Sequence, residues 1–334
     1  MQAAWPQTRF TWIIGKLEAK LMTAILPQVE FITFDKSAML KELRRLRTAL
    51  RDRPFDLLLD MQLSIRASLI STLVRAPIKL GFDRRRAREM QWLFTNARIA
   101  ATGDEHVLDS FMRFPQACGV QTPALPRWDP SLPAAAQAYA AAIVAAAPGA
   151  PARLTLLISP CSSHTQRNWR PERYAAVADH AINAHQMRVV LVGGRSSSEM
   201  RMGEQIIAAA NTALLNQIGK DTLPQLLGLM AASTVLLSPD SGPAHMAAMV
   251  GLPVVGLYAA TRTARVGPYL SRAWCVDEYE AAAQKFYGKP ASQVAWTLKI
   301  EKPGVMDLIT VEAVIAKLDA LLATLKPPGH AQIR

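Results

Sequence analysis

The stretch Thr234-Val235-Leu236-Leu237-Ser238-Pro239-Asp240-Ser241-Gly242-Pro243-Ala244-His245 decides the fold. Its first five residues are an apolar run of strand length, and the run ends in a turn that opens a helix. Pro243 suits the first helical turn, where its missing N–H costs nothing. Gly242 lets a ligand or a second backbone approach closely. The free N–H groups of that turn, together with the helix dipole, make an anion site, and Ser241 adds a hydroxyl donor. On local pattern alone a helix cap built from Asp240 and Ser241 is the plainer reading, with a phosphate cradle as the alternative. His245 falls inside the helix, where a structural histidine is the ordinary reading.

The same strand-to-helix step recurs on either side. Further runs of strand length are Leu154–Ser159, Arg188–Val192, Leu214–Ile218 and Val254–Tyr258. Helical segments are expected at Pro171–Ala184, Glu199–Ala210, Thr222–Ala231 and Pro243–Val250, with a closing helix over Thr310–Leu325. This is a doubly wound α/β pattern, in which ligands sit beyond the carboxyl ends of the strands. The first half alternates too: strand-like Phe10–Ile14 and Val29–Phe34, then a helix from Ser37 with Met39, Leu40, Leu43, Leu46 and Leu50 on one face. After Pro54 come a strand at Phe55–Asp60, a helix over Ile65–Val74 and a strand at Ile78–Gly81. Pro115–Pro133 shows no periodic element. An alanine-rich helix follows and ends at Pro148-Gly149-Ala150-Pro151, so the expected domains are residues 1–150 and 151–334.

The segments just after the strands carry the candidate chemistry. In Ser159-Pro160-Cys161-Ser162-Ser163-His164-Thr165-Gln166-Arg167-Asn168-Trp169, the hydroxyls of Ser162, Ser163 and Thr165 and the Arg167 guanidinium suit an anionic diphosphate. Read blandly, it is a loop of ordinary turn residues. Cys161 has no base nearby in sequence and reads as a packed thiol. Val192-Gly193-Gly194-Arg195 fits a tight turn under a nucleotide but lacks the Gly-x-Gly-x-x-Gly spacing. Lys220 and Asp221, after Ile218-Gly219, flank a base or ribose or else face solvent. In the first half, Gln62 and Arg66 share a helical face. Arg84 to Arg86 reads as a solvated charge run.

Composition narrows the classes. The chain has 334 residues, half of them apolar and 19% charged, which excludes a disordered polymer. Cys118, Cys161 and Cys275 are too few and too scattered for a disulfide framework or a cysteine-rich zinc site, which fits a reducing compartment. The apolar stretch Ala134–Ala147 is too short to span a bilayer, and residues 1–10 lack a signal-peptide layout. The expectation is a soluble, cytoplasmic protein. The formal charge is +12, and Asp35–Arg98 holds 15 basic and 7 acidic residues. A positive field clustered in that way steers anionic partners.

Taken together these motifs resemble glycosyltransferase family 9, the ADP-heptose:lipopolysaccharide heptosyltransferases. The matching residues are Ser162-Ser163, Arg167-Asn168-Trp169 leading into Glu172-Arg173-Tyr174, Ile218-Gly219-Lys220, and Asp240-Ser241-Gly242-Pro243-Ala244-His245 followed by Gly251-Leu252-Pro253-Val254. Asp60-Met61-Gln62 with Arg66, Gly81-Phe82 and Ala87-Arg88-Glu89 match in the first half. The resemblance implies an α/β, GT-B architecture of two Rossmann-like domains, with the nucleotide sugar held by the second and the acceptor by the first. It implies inverting, metal-independent transfer of heptose from ADP-heptose to the lipopolysaccharide inner core, at the cytoplasmic face of the inner membrane. No resident cofactor, metal ligand or nucleic-acid partner is expected. Carried over by position, Ser162, Ser163, Arg167, Ser241 and Gly242 hold the diphosphate, with Asp240 close to the donor and Lys220 and Asp221 near the nucleoside. Gln62, Arg66 and Arg88 line the acceptor side.

One departure bears on catalysis. Family members begin with a strand, a Gly-Asp turn and a helix, and the aspartate of that turn is the expected general base. This chain opens at Met1-Gln-Ala-Ala-Trp-Pro, matching the end of that helix, so the first domain is expected to be incomplete and the base has no candidate. Where some members carry a ribose-binding glutamate, this chain has Ser197, with Glu199 displaced nearby. A catalytically inert nucleotide-sugar-binding homologue is therefore the alternative. A dinucleotide oxidoreductase is disfavoured by the missing glycine fingerprint, and a nucleic-acid binder by the lack of a recognised module.

Overall fold

The computed structural model describes residues 1–148 and 154–325. The chain forms two compact units, Met1–Arg127 and Trp128–Arg334. The domain boundary expected at 150/151 lies outside the described residues. The division falls earlier because helix α5 (Ala134–Ala146; helices α1–α4 and strands β1–β5 precede it) packs along a helix of the second unit, α8 (Leu223–Ala231). The two approach closely: a Cβ at Gly228 would stand 2.6 Å from the Ala136 carbonyl oxygen.

The first unit runs β1 (Thr11–Gly15), α1 (Lys16–Ile25), β2 (Glu30–Phe34), α2 (Met39–Leu50), β3 (Leu57–Leu59), α3 (Ile65–Ser71), β4 (Ile78–Gly81), β5 (Ala97–Arg98) and α4 (Val107–Ala117). Its strands form two parallel sheets, β1-β2 and β3-β4-β5. Among the described residues, β1 and β3 each pair on one side only. Two small cores result: one gathers Ile32, Phe34, Leu46, Leu50 and Val74, the other Leu80, Phe82, Ile99 and Phe114. The sequence reading named neither α1 nor β5, and it differs from the structure at other points as well. Leu40 lies on the solvent face of α2 rather than on its buried stripe. Helix α4 continues through Pro115, which had read as the start of an element-free stretch; Pro115 sits in the last turn, where few residues follow it.

The second unit continues after α5 with β6 (Thr155–Ile158), α6 (Pro171–His185), β7 (Arg188–Leu191), α7 (Ser197–Ala209), β8 (Leu215–Asn216), α8, β9 (Val235–Pro239), α9 (Gly242–Met249), β10 (Val254–Tyr258), α10 (Thr263–Val266), β11 (Val276–Asp277), α11 (Tyr279–Tyr287) and α12 (Val311–Thr324). Six strands make one parallel sheet in the order β11-β10-β9-β6-β7-β8. The chain winds outward from β6 through β7 and β8, then returns to start again at β9 on the other side of β6. Every residue of β6, β7, β9 and β10 is buried, as expected for strands covered on both faces. Helices α6, α7 and α12 contribute to the large core on one of those faces, where Trp169, Tyr174 and Val177 are sealed.

Candidate active site

In a doubly wound sheet the strand order reverses at one place, and the crevice there is where ligands bind. In the second unit that place is between β6 and β9. The register sets Ile158 beside Leu237, and the Ser159 N–H donates to the Leu237 carbonyl at 3.0 Å. The loop after β6 and the turn after β9 therefore leave the sheet side by side.

Arg167 joins them. It belongs to a short 3₁₀ turn, Thr165–Arg167, in the loop after β6, and it is buried. Its Nη1 donates to Asp240 Oδ2 at 2.9 Å, while Nε and Nη2 donate to Glu301 Oε1 at 2.9 and 2.7 Å. A guanidinium carries five N–H donors, so two remain after these three bonds. The Asp240 carboxyl is pushed up by burial, but the His245 imidazole and the Arg167 guanidinium outweigh that and hold it below the ordinary carboxylate value. His245 is half-exposed, with Nε2 3.8 Å from Asp240 Oδ1, so it faces the cluster rather than the core.

The turn itself decides between cap and cradle. Ser241 occupies the N-cap position of α9, yet among the described residues no side chain caps the first turn. The Ser241 hydroxyl pairs instead with Ser238 Oγ at 2.8 Å, and Asp240 turns to Arg167. The capping reading thus fails, and the first-turn N–H groups stay open to a ligand. A Cβ at Gly242 would meet nothing within 4 Å, so the space above it is free. Ser162 offers a buried hydroxyl without a hydrogen-bond partner among the described residues, and its N–H is fixed by Asn168 Oδ1 at 2.7 Å. Ser163 next to it is exposed.

The loops after β7 and β8 lie along the same edge. The Gly219 N–H donates to the Gly193 carbonyl at 3.0 Å, in a left-handed conformation with φ +79° that suits glycine. Lys220 Nζ folds back onto the Asn216 carbonyl. Asp221 accepts a hydrogen bond from the Tyr139 hydroxyl of α5, and burial raises its carboxyl above the ordinary value. Its second oxygen is buried without a partner among the described residues. Glu199 accepts from the Gly194 N–H at 2.8 Å and from Ser196 Oγ at 2.6 Å, so its carboxylate serves its own loop. Burial, with Glu199 adding to it, pushes the Cys161 thiol up to about 12, which keeps it protonated and unsuited to attack.

In the first unit, Gln62, Arg66 and Arg88 come from three segments that the structure ties together. Gln91 is fully buried; its Nε2 donates to the Asp60 carbonyl at 2.8 Å and the Gln62 carbonyl at 3.4 Å, and its Oε1 accepts from the Phe82 N–H at 3.2 Å. Glu89 accepts from the Ile65 N–H at the start of α3. Glu89 and Met90 both have positive φ, 49° and 58°, a strained pair that turns the chain right after Arg88. Neither Arg66 nor Arg88 has an ion pair among the described residues. The arginine run splits by role: Arg86 is enclosed and bonded to Asp83 and Glu105, whereas Arg84 lies 5.0 Å over the Trp92 ring.

Sequence reasoning did not find Glu301, Tyr139 or Gln91. Each acts through a partner at least 29 residues away, and no local pattern marks it.

A Rossmann-like sheet with an uncapped helix N-terminus and a buried arginine at its switch point defines the class of doubly wound proteins whose ligand crevice offers hydrogen-bond donors. The comparisons narrow that class. The sequence model of glycosyltransferase family 9 (heptosyltransferase) matches residues 43–295. The lipopolysaccharide core heptosyltransferase OpsX of Haemophilus influenzae is 39% identical over 96% of this chain and 90% of that protein. The chain therefore belongs to glycosyltransferase family 9. Among solved structures, a family 9 glycosyltransferase from Veillonella parvula superposes with a TM-score of 0.78 at 19% identity, covering 97% of this chain and 91% of that one. The Escherichia coli ADP-heptose lipopolysaccharide heptosyltransferase II gives 0.70 at 21% identity, covering 96% and 92%. These likenesses carry the α/β, GT-B fold class expected from the sequence.

Proposed function

We propose that the protein transfers heptose from ADP-heptose to the lipopolysaccharide inner core, with inversion and without a metal at the diphosphate or a resident cofactor. The observation that carries this reading is the Arg167 cluster beside the uncapped first turn of α9. The relative OpsX, named a lipopolysaccharide core heptosyltransferase, supports the choice of sugar and acceptor. A solved E. coli relative carries ADP, which supports the donor.

Departing ADP gains negative charge as the sugar–phosphate bond breaks. Donors fixed at its phosphates stabilise that transition state more than the ground state. Arg167 brings two uncommitted N–H groups, already oriented by Asp240 and Glu301. The first turn of α9 adds backbone N–H groups, and Ser162, Ser163 and Ser241 add hydroxyls. These N–H and O–H donors are what the chain offers the diphosphate in place of a divalent ion, the Arg167 charge itself being balanced by Asp240 and Glu301. Lys220 is assigned to the nucleoside end, two strands from Arg167, roughly 10 Å at ordinary strand spacing. Asp221 reaches the nucleoside only by sharing its unpartnered oxygen, since Tyr139 holds the other. Gln62, Arg66 and Arg88 are assigned to an anionic acceptor. No helix among the described residues is long and apolar enough to cross a membrane. The basic first half suits contact with an anionic membrane surface from the cytoplasmic side.

The test is turnover with ADP-heptose and a heptose-deficient core acceptor, run beside calorimetric titration with ADP. The expected result is sugar transfer together with ADP binding. Binding of ADP without transfer supports the inert-homologue reading. No binding of ADP removes the proposal.

A further inference from the structure

At the other end of α6 a second cluster has no part in the donor site. His180 Nε2 and His185 Nε2 stand 2.8 and 2.6 Å from the same oxygen, Asp319 Oδ1 of α12. The imidazole rings are edge-to-face with centroids 5.4 Å apart. All three donor atoms lie within 4.8 Å of one another. The side chains are 26%, 29% and 41% exposed, open enough to take an ion from water and enclosed enough to be held.

We propose that His180, His185 and Asp319 form a zinc site that clamps α12 onto α6. Two imidazole nitrogens and a carboxylate are a donor set for zinc, with a fourth position left for water; magnesium and calcium prefer all-oxygen shells. Tetrahedral zinc with bonds near 2.0–2.1 Å needs donor atoms about 3.3 Å apart. The shared oxygen must therefore back away from each nitrogen by well under 1 Å, and the two nitrogens, which lie within 4.8 Å of each other, must settle at that same spacing, both by rotation of half-exposed side chains. His185 is the last residue of α6, where the negative end of the helix dipole favours a cation. The site is distinct from the donor pocket. Helix α6 starts at the carboxyl edge of the sheet, and His180 and His185 lie 9 and 14 residues beyond Pro171, about 14–21 Å along the axis. The spacing hides it in sequence: the histidines are five apart rather than four, and the aspartate is a further 134 residues on. The sequence reading expected no metal ligand, and this site departs from that expectation without touching the transfer chemistry. The inference stands independently of the proposed function.

The experiment uses untagged full-length protein stripped with a chelator and titrated with ZnCl₂ against a chromophoric competitor, with thermal melts in parallel. The expected result is one tight equivalent of zinc per chain and a melting temperature that climbs with zinc. In His180→Ala/His185→Ala the tight equivalent and the zinc-dependent shift disappear, Asp319→Asn weakens binding at least tenfold, and a hundredfold excess of MgCl₂ does not compete. His185→Gln, which keeps a side chain of similar length, loses zinc while folding as the parent does. Zinc bound equally by the double variant, or no tight equivalent in the parent, overturns the proposal and leaves a hydrogen-bonded clip alone.

Discussion

Strands β3 and β9 each lead into an aspartate at the carboxyl end, and the two carboxylates meet opposite environments. Asp60, in the first unit, is buried with Oδ2 unpartnered; burial pushes its carboxyl above the ordinary value, and nearby Gln91 and Gln62 pull it back only partway. Asp240, in the second unit, is buried beside a guanidinium and an imidazole and is held below the ordinary value. The same residue at the same kind of strand end is a stored electrostatic cost in one unit and half of an ion cluster in the other. What differs is the presence of a cation from a neighbouring loop. That cation is what the proposed donor site rests on, because a cluster that already orients a guanidinium can present it to phosphate.

The strongest way to break that contrast is to remove the cation. Arg167→Ala leaves Asp240 and Glu301 without their shared guanidinium and with only the His245 and His164 imidazoles beside them, and it is expected to cost up to about 3–5 kcal/mol of folding stability by denaturant titration. The same variant is expected to weaken ADP binding by about 1.5–3 kcal/mol, the range for a hydrogen bond to a charged group. A stability loss with unchanged ADP affinity would confine Arg167 to holding carboxylates. Next in size is Asp240→Asn, expected to cost about 1–3 kcal/mol at pH 7 and to impair donor use while the fold persists. Full activity in that variant would refute the assignment of Asp240 to the donor.

The pH dependence then separates the two aspartates by sign. The folded carboxyl of Asp240 is depressed, so its contribution is fully present above the unfolded carboxylate value of about 3.9 and is lost as pH falls through the folded value. The Asp240→Asn deficit should shrink below about pH 4. For Asp60 the folded value is raised, so the folded state binds its proton more tightly than the unfolded chain. Its penalty grows as pH rises through the folded value. Asp60→Asn is therefore expected to stabilise the protein at pH 7, with the gain vanishing toward pH 4. A loss at both pH values would mean that an unseen partner compensates Asp60.

The two units also differ in how much of them the sequence discloses. In the second, β6, β7, β9 and β10 are apolar at nearly every position because both faces of the sheet are covered, and each run is bounded by a helix with its own start signal. The capping box at Thr222 and Gln225 and the proline at α9 are examples. Of the elements that escaped notice, β5, β11 and α10 have two to four residues, too few for any period to show, whereas α1 and α11, ten and nine residues long, were long enough to be read and were missed. Helix α4 was masked by Pro115, which reads as a stop although it falls in the final turn. At the site, Asp240 was legible because it directly follows a strand, and Arg167 because it lies in the polar loop after one. Glu301 was not, since it lies in a loop after no strand and meets Arg167 only through the fold. Asp221 was legible as a site residue by position, but its bond to Tyr139 was not, because an alanine-rich helix gives no sign of what its one tyrosine touches. Leu40 shows the limit of periodicity: it fits the helical repeat yet faces solvent, since the first unit's small core leaves one flank of α2 uncovered.

The smallest expected effect tests whether the first unit has an anion site of its own. Arg66 and Arg88 are unpaired among the described residues, unlike Arg86 beside them, which is enclosed by Asp83 and Glu105. Removing an unpaired surface arginine costs the fold little, so Arg66→Ala and Arg88→Ala are each expected to shift stability by no more than about 0.5 kcal/mol. Their effect should fall on acceptor affinity, seen as a raised KM for a phosphorylated core acceptor with kcat and donor KM nearly unchanged. Because Arg88 is exposed and Arg66 half-buried, the difference between variant and parent should narrow, most for Arg88, as salt shortens the Debye length from about 10 Å at 0.1 M to about 3 Å at 1 M. Arg86→Ala is the contrasting control: it breaks an enclosed cluster, so stability falls first. If Arg66→Ala and Arg88→Ala instead behave like Arg86→Ala, the first unit's arginines are structural throughout, and the acceptor must be held by other groups.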